Sequence, residues 1–275
     1  MSDAPAHRGV TLSVFSGIDL LGMAFEAEGF CVVSAGDLVF GRDVRRFRPP
    51  PGVFAGVIGG PPCQDFSAAR RGAPIFDGYG AAMLAEFVRV VSDAAPEWFL
   101  MENVARVPDI CVPGYRMQRI DLDARECGSQ QRRLRHFQWG SRSGLVLTVT
   151  RQAMTGPAKP TCLASDGRRK GDWAEFCERQ GLPSGFDLPS FIKEGKWRAV
   201  GNGVPLPMGR AMAQAVKAAR PWHSVRLCAC GCDREVTGRQ ILATVACRQR
   251  SSRRLRRAAA GVTGPGPVTQ MEVFQ

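Results

Sequence analysis

Val53-Phe54-Ala55-Gly56-Val57-Ile58-Gly59-Gly60-Pro61-Pro62-Cys63-Gln64 is the stretch whose reading decides the fold. An apolar run of strand length ends abruptly in two glycines, two prolines and a cysteine. Proline breaks a central strand or a helix interior, so the chain must leave the sheet here. Two other segments share this design. Residues 10–15 run into Ser16-Gly17, and residues 98–101 run into Glu102-Asn103. Between them, residues 20–28 and 81–91 carry apolar residues at helical spacing. Strands alternating with helices predict an α/β fold built on a doubly wound, mostly parallel sheet. Ligands of such sheets bind beyond the carboxyl ends of the strands, where all three segments place their polar residues.

Each strand end offers a chemical group. The prolines before Cys63 fix its backbone and the glycines let another molecule approach, which suits a nucleophilic thiol. Taken alone, the same turn is equally a structural one with an incidental cysteine. Glu102 arrives at the same sheet edge, where a carboxylate in a crevice can hold a raised pKa and donate a proton. Alone, it also reads as a capping or surface residue. In Gln131-Arg132-Arg133-Leu134-Arg135, a strand would put Arg133 and Arg135 on one face, able to grip a base carbonyl or phosphate. A solvated basic edge strand fits those residues as well. A last apolar helix is expected over residues 206–219, after a turn at Gly201-Asn202-Gly203.

The chain's 275 residues allow one substantial domain with small additions. A hydrophobic content of 44% with 23% charged residues is that of a soluble globular protein. No apolar run approaches the roughly 20 residues that span a bilayer. Residues 1–9 carry no signal-peptide core, so a cytoplasmic protein without a membrane partner is expected. A net charge of +12 points to an anionic partner, nucleic acid first. Six of the ten cysteines are scattered through the body and read as reduced, mostly core residues.

Together the motifs resemble the DNA (cytosine-5) methyltransferase family, in that family's order. Phe15-Ser16-Gly17 resembles its first cofactor motif, Gly60-Pro61-Pro62-Cys63-Gln64 its nucleophile motif, and Glu102-Asn103-Val104 its Glu-Asn-Val motif. Gln131, Arg133 and Arg135 fit its Gln-x-Arg-x-Arg pattern. Residues 175–186 resemble the motif supporting its recognition region, and Gly201-Asn202-Gly203-Val204-Pro205 its final motif. The resemblance covers about residues 10–220. It implies a Rossmann-like fold, S-adenosylmethionine as cofactor and double-stranded DNA as partner, with the protein acting as a monomer. It implies that Phe15, Ser16, Gly17, Ile18, Val44, Pro62 and Asn202 contact the cofactor. Asp37 would bond its ribose hydroxyls, and Asp43 would accept from its adenine amino group. Cys63 would attack carbon 6 of a flipped cytosine, and Glu102 would protonate ring nitrogen 3. Arg133 would orient the base through its 2-carbonyl, with Arg135 in support. The loop carrying Arg70 and Arg71 would close over the DNA backbone. An RNA cytosine-5 methyltransferase and a catalytically decayed DNA-binding protein are the alternatives.

The sequence departs from the family in three places. Asp19 and Leu20 stand where the family commonly has a glycine pair, which narrows the methionine end of the cofactor site. Asp43 follows Asp37 by only six positions, so an intervening helix is trimmed away. The recognition region shrinks to roughly residues 141–170, too short for an independent domain. The expected organisation is a catalytic and cofactor-binding domain at 10–140, then a reduced recognition region with its supporting motif at 141–195. The final motif and returning helix occupy 196–220.

Residues 226–257 stand apart, with nine arginines against Asp233 and Glu235. Cys228, Cys230, Cys232 and Cys247 supply four thiols, the number a structural zinc requires, although the spacing is tighter than the usual paired sets. The segment resembles short cysteine-and-arginine tails that bind zinc and contact nucleic acid. Its arginines would bind phosphates without reading sequence. Reduced, unliganded thiols in a solubilising tail are the alternative. Residues 258–275 are expected to be disordered.

Overall fold

Each of the three apolar segments forms a strand. In a computed structural model, β1 (Val10–Val14) leads to α1 (Leu20–Glu26), β2 (Cys31–Ala35), β3 (Phe54–Gly59), α2 (Tyr79–Ala94) and β4 (Trp98–Asn103). β5 (Arg116–Asp123), β6 (Leu134–Ser141) and the short β7 (Leu145–Val146) follow. Next come α3 (Trp173–Arg179), α4 (Lys193–Asn202), α5 (Leu206–Lys217) and β8 (Arg220–Pro221). The structure describes residues 9–67, 73–168, 171–232 and 234–259. It divides into two units, one ending at Pro221 and the other beginning at Trp222.

The main sheet has six strands in the order β2-β1-β3-β4-β6-β5. β1 pairs in parallel with β2 and β3, and β3 with β4, while β6 runs antiparallel to both β4 and β5. All six residues of β4 are buried. Its side chains alternate between the two faces, as a strand requires. Trp98 and Leu100 pack with Phe25 of α1 and Met208 and Met212 of α5. Phe99 and Met101 pack with Phe87, Val90 and Val91 of α2. Each such side chain, fully buried, contributes about 1.5–3 kcal/mol. Helices thus cover both faces of a mostly parallel sheet, the doubly wound α/β arrangement. Arg210 of α5 bonds Glu28, just past α1, at 2.9 Å and ties the final helix to the first.

Two local expectations are corrected. Gly201 and Asn202 do not form a turn; they end α4, and Gly203 caps it. A Cβ on Gly201 would lie 2.8 Å from the backbone of Leu163 and Ala164, so packing from outside the helix explains this glycine. In the arginine motif, β6 begins only at Leu134. Gln131 instead makes an isolated bridge to Lys159.

Between Asp37 and Asp43 the chain makes a single 3-10 turn at Leu38–Phe40, in keeping with a trimmed helix. Residues 142–168 hold little regular structure beyond β7, which pairs with β8, and a 3-10 turn at Asp166–Arg168. The Gln118 side chain bonds both backbone groups of Leu147 and pins this segment to β5. In the second unit, α6 (Val245–Ala259) extends two residues into the stretch expected to be disordered, and residues 260–275 lie outside the described residues. Arg70 and Arg71 also lie outside them. No helix among the described residues is long and apolar enough to cross a membrane.

Candidate active site

The carboxyl ends of β1, β2, β3 and β4 surround one pocket of about 250 Å³. Phe15, Ser16, Gly17, Ile18, Asp37, Asp43, Val44, Pro62, Cys63, Glu102, Arg135 and Asn202 all line it. Arg133 does not. Residues distant in sequence converge here because each strand ends at the same sheet edge.

Cys63 sits half-buried after the proline turn. Asn103 at the end of β4 donates through Nδ2 to the Pro61 carbonyl at 3.0 Å and so locks that turn to the neighbouring strand. Burial pushes the Cys63 thiol above its ordinary pKa, and the charge of Glu102 pushes the same way. Glu102 is 7% exposed, and Arg135 Nε lies 2.7 Å from its Oε1. Burial raises the Glu102 carboxyl, while Arg135 and then Arg133 act in the opposite direction without overcoming it. Both groups therefore hold protons more tightly than in water, and ionised Glu102 opposes ionisation of Cys63.

Arg133 occupies a different place from the one expected. It is 2% exposed. Its guanidinium donates to the carbonyls of Cys162 (2.6 Å), Gly201 (2.7 Å) and Gly203 (3.0 Å). Those bonds turn both terminal nitrogens towards backbone, not towards the pocket. Burial lowers its pKa to about 9, which keeps it charged at neutral pH. Gln131 acts alongside it. Its Nε2 donates to Gln180 Oε1 (2.8 Å) and its Oε1 accepts from Cys162 N (3.1 Å), while Gln180 donates to the Val200 carbonyl (2.6 Å). The first residues of the arginine motif thus join three loops, and only Arg135 reaches the acid.

The rest of the pocket wall carries further acids. Asp37 accepts from Gly17 N (2.9 Å) and Val39 N (2.7 Å), linking the first two strand-end loops. Asp43 is held by Arg45, whose hydrogen bonds lower its pKa to about 2. Ser16 Oγ is buried, faces the same loop and has no partner among the described residues. An orphaned hydroxyl on the wall of a pocket fits a site made for a polar ligand. Asp19, Leu38, Val39, Tyr79 and Met83 also line the pocket, and none of them was expected as a contact there from the sequence. Leu38 and Val39 directly follow Asp37, and that adjacency was the available signal.

In the second unit, Cys228, Cys230, Cys232 and Cys247 are all buried, and their sulfurs lie within 4.8 Å of one another. Cys228 and Cys230 are 3.5 Å apart, and Cys232 and Cys247 3.6 Å, so neither pair is a disulfide. Ala243 N donates to Cys228 Sγ (3.2 Å) and Thr244 Oγ1 to Cys247 Sγ (3.1 Å).

Residues 42–109, which hold Cys63 and Glu102, match the family model described as C-5 cytosine-specific DNA methylase. The Type II methyltransferase M.HgiDI of Herpetosiphon aurantiacus is 35% identical over 121 residues, 40% of this chain and 38% of that protein. The Type II methyltransferase M.NgoPII of Neisseria gonorrhoeae is 29% identical over 170 residues, 50% of this chain and 49% of that protein. The chain thus spans at most about half the length of these curated relatives. Among solved structures, a methyltransferase of Entamoeba histolytica aligns with a TM-score of 0.56 at 10% identity, covering 76% of this chain and 97% of that one. A Spodoptera frugiperda DNMT2 variant aligns at 0.54 and 13%, covering 76% and 99%. These two likenesses concern the fold.

Proposed function

We propose that this chain is a C-5 cytosine-specific DNA methylase and that it methylates carbon 5 of cytosine in double-stranded DNA. S-adenosylmethionine, when bound, supplies the methyl group from its sulfonium. The observation that carries the reading is the meeting of Cys63 with the Glu102–Arg135 pair in the pocket that Ser16, Asp37 and Asp43 also line.

Cytosine carbon 5 is a poor nucleophile. Addition of the Cys63 thiolate to carbon 6 moves electron density onto it. Ring nitrogen 3 must then accept a proton. Glu102 suits that task, because its burial favours the protonated carboxyl and the pocket places it beside Cys63. Protonating Glu102 also removes the negative charge that opposes the thiolate. The two groups titrate as a pair, and the reactive form is thiolate beside carboxylic acid. Arg135 holds Glu102 in place and reaches the base from the pocket wall, the part first expected of Arg133. After methyl transfer, a solvent water takes the carbon-5 proton, the freed electron pair expels Cys63 as thiolate, and ring nitrogen 3 returns its proton to Glu102. The target base must leave the duplex to reach the pocket. Asp37 and Asp43 suit the ribose hydroxyls and the adenine amino group, as acceptors at the ends of adjacent turns. The test is methyl transfer from labelled S-adenosylmethionine to duplex DNA and to RNA of the same sequence. Label in DNA at carbon 5 supports the reading. Label only in RNA would move it to the RNA alternative, and none in either would indicate a decayed enzyme.

We also infer that the second unit holds a structural zinc ion on Cys228, Cys230, Cys232 and Cys247. A zinc–thiolate bond of roughly 2.3 Å sets the edge of a tetrahedral site at about 3.8 Å. The sulfur pairs at 3.5 and 3.6 Å are close to that edge. Donors aimed at Cys228 and Cys247 match thiolates rather than thiols. The ion would supply folding energy to a unit with few other buried apolar residues. α6 carries Cys247 and the exposed Arg248 and Arg250, followed in sequence by Arg253, Arg254, Arg256 and Arg257, and suits a phosphate backbone. Metal analysis of the purified protein tests this: one zinc per chain is expected, and its absence overturns the inference.

A further inference from the structure

Four carboxylates and one guanidinium line the pocket. Glu102 is paired with Arg135, and Asp43 with Arg45. Asp37 accepts from two backbone N–H groups that join its own loops. Asp19 is the acid that the proposed chemistry leaves unused.

The fold holds this carboxylate with some care. Ser13 Oγ donates to Asp19 Oδ1 at 2.8 Å, Gly22 N donates to the same oxygen at 2.9 Å, and Ser34 Oγ donates to Oδ2. Ser13 and Ser34 are in-register partners on β1 and β2, so two adjacent strands present hydroxyls to one acid. Asp19 itself adopts the left-handed conformation, with φ at +58°. A Cβ on Gly22 would lie 2.4 Å from Asp19 Oδ2, so this residue must be glycine while Asp19 folds back over it. Among the described residues, all of Asp19's donors are neutral and no cation pairs with it.

We propose that Asp19 receives the α-ammonium group of the cofactor's methionine part and sets the enzyme's preference for a cofactor carrying that amine. The proposal rests on S-adenosylmethionine being the cofactor. Assigning Asp37 to the ribose and Asp43 to the adenine leaves the third acid for the third polar region of the ligand, beside the loop Phe15 to Ile18. A carboxylate fixed by three neutral donors attracts a cation and repels an anion. Binding energy here therefore comes from the cofactor's amine and little from its carboxylate.

The test is calorimetric titration of the full chain with three ligands. S-adenosylhomocysteine carries amine and carboxylate, its decarboxylated counterpart carries the amine alone, and methylthioadenosine carries neither. Wild type should bind the first two comparably and methylthioadenosine about tenfold or more weakly, the size of a charge-assisted hydrogen bond. Asp19→Asn preserves the cap and tolerates the left-handed backbone. It should bind S-adenosylhomocysteine about tenfold more weakly and methylthioadenosine unchanged. Asp19→Gly, which relieves the backbone, should give the same pattern. Equal weakening of all three ligands, or no weakening of any, overturns the proposal while leaving the cofactor reading intact. Failure of wild type to bind any of them overturns both.

Discussion

Cys63 and the four cysteines of the second unit are the same residue type in opposite surroundings. Cys63 stands alone, half-buried on a pocket wall beside an acid and a guanidinium. Cys228, Cys230, Cys232 and Cys247 are buried together, with an N–H donating to Cys228 and a hydroxyl to Cys247. A lone thiol whose ionisation is coupled to an acid suits bond-making on a substrate. Four thiols clustered within reach of one another suit a cation. The lesson is that the company a cysteine keeps, not its burial or its count, assigns its chemistry.

The comparison breaks most sharply at Cys63. Cys63→Ser should lower methyl transfer by about a thousandfold or more, because the hydroxyl is a far weaker nucleophile, with unchanged zinc content and thermal stability. A variant that turns over normally ends the assignment. Removing metal should do the reverse. A strong chelator should release zinc and unfold the second unit, at a cost on the order of 10 kcal/mol, seen as loss of α6 helicity by circular dichroism. Helicity that survives complete metal loss would make the cluster an ordinary core.

Arg133 and Arg135 sharpen the comparison within the first unit. Arg133→Met strands three buried carbonyls and should cost about 2–5 kcal/mol in denaturant unfolding. Arg135→Met should cost less stability and more activity. An equal pattern in both variants would show that the two arginines do not divide the work. Glu102→Gln gives the smallest effect. In the folded chain Glu102 holds its proton above the ordinary carboxylate range, so between its unfolded value near 4.5 and its folded one the native state binds more protons than the unfolded state. Stability contributed by protonated Glu102 is then full at acid pH and falls as pH rises through that window. Glu102→Gln should match wild type in stability below the window and exceed it above the window, while losing activity. Unfolding curves at the two pH values check the sign.

The strands, the pocket and most of its lining were legible because a parallel sheet writes itself in continuous apolar runs that stop at turns. Val57 and Ile58 need no distant information to be read as strand, nor does the turn at Pro61-Pro62. Arg133 was not legible. The alternation rule assumes a strand, and its true partners are carbonyls at positions 162, 201 and 203. The end of α4 was hidden for the same reason, since Gly-Asn-Gly reads as a turn until the backbone at 163–164 is packed against it. The absence of the glycine pair at Asp19 was visible in the sequence. Its explanation needed Ser13, Ser34 and Gly22 in space.

The central claim is a covalent bond between Cys63 and carbon 6 of cytosine. Fluorine at carbon 5 cannot leave as the proton does, so duplex DNA carrying 5-fluorocytosine should trap that bond. With S-adenosylmethionine present, wild type should form a stable protein–DNA adduct whose digestion yields a modified peptide at Cys63. Cys63→Ser should form none. An adduct on another residue, or no adduct from an enzyme that methylates ordinary DNA, would contradict the account.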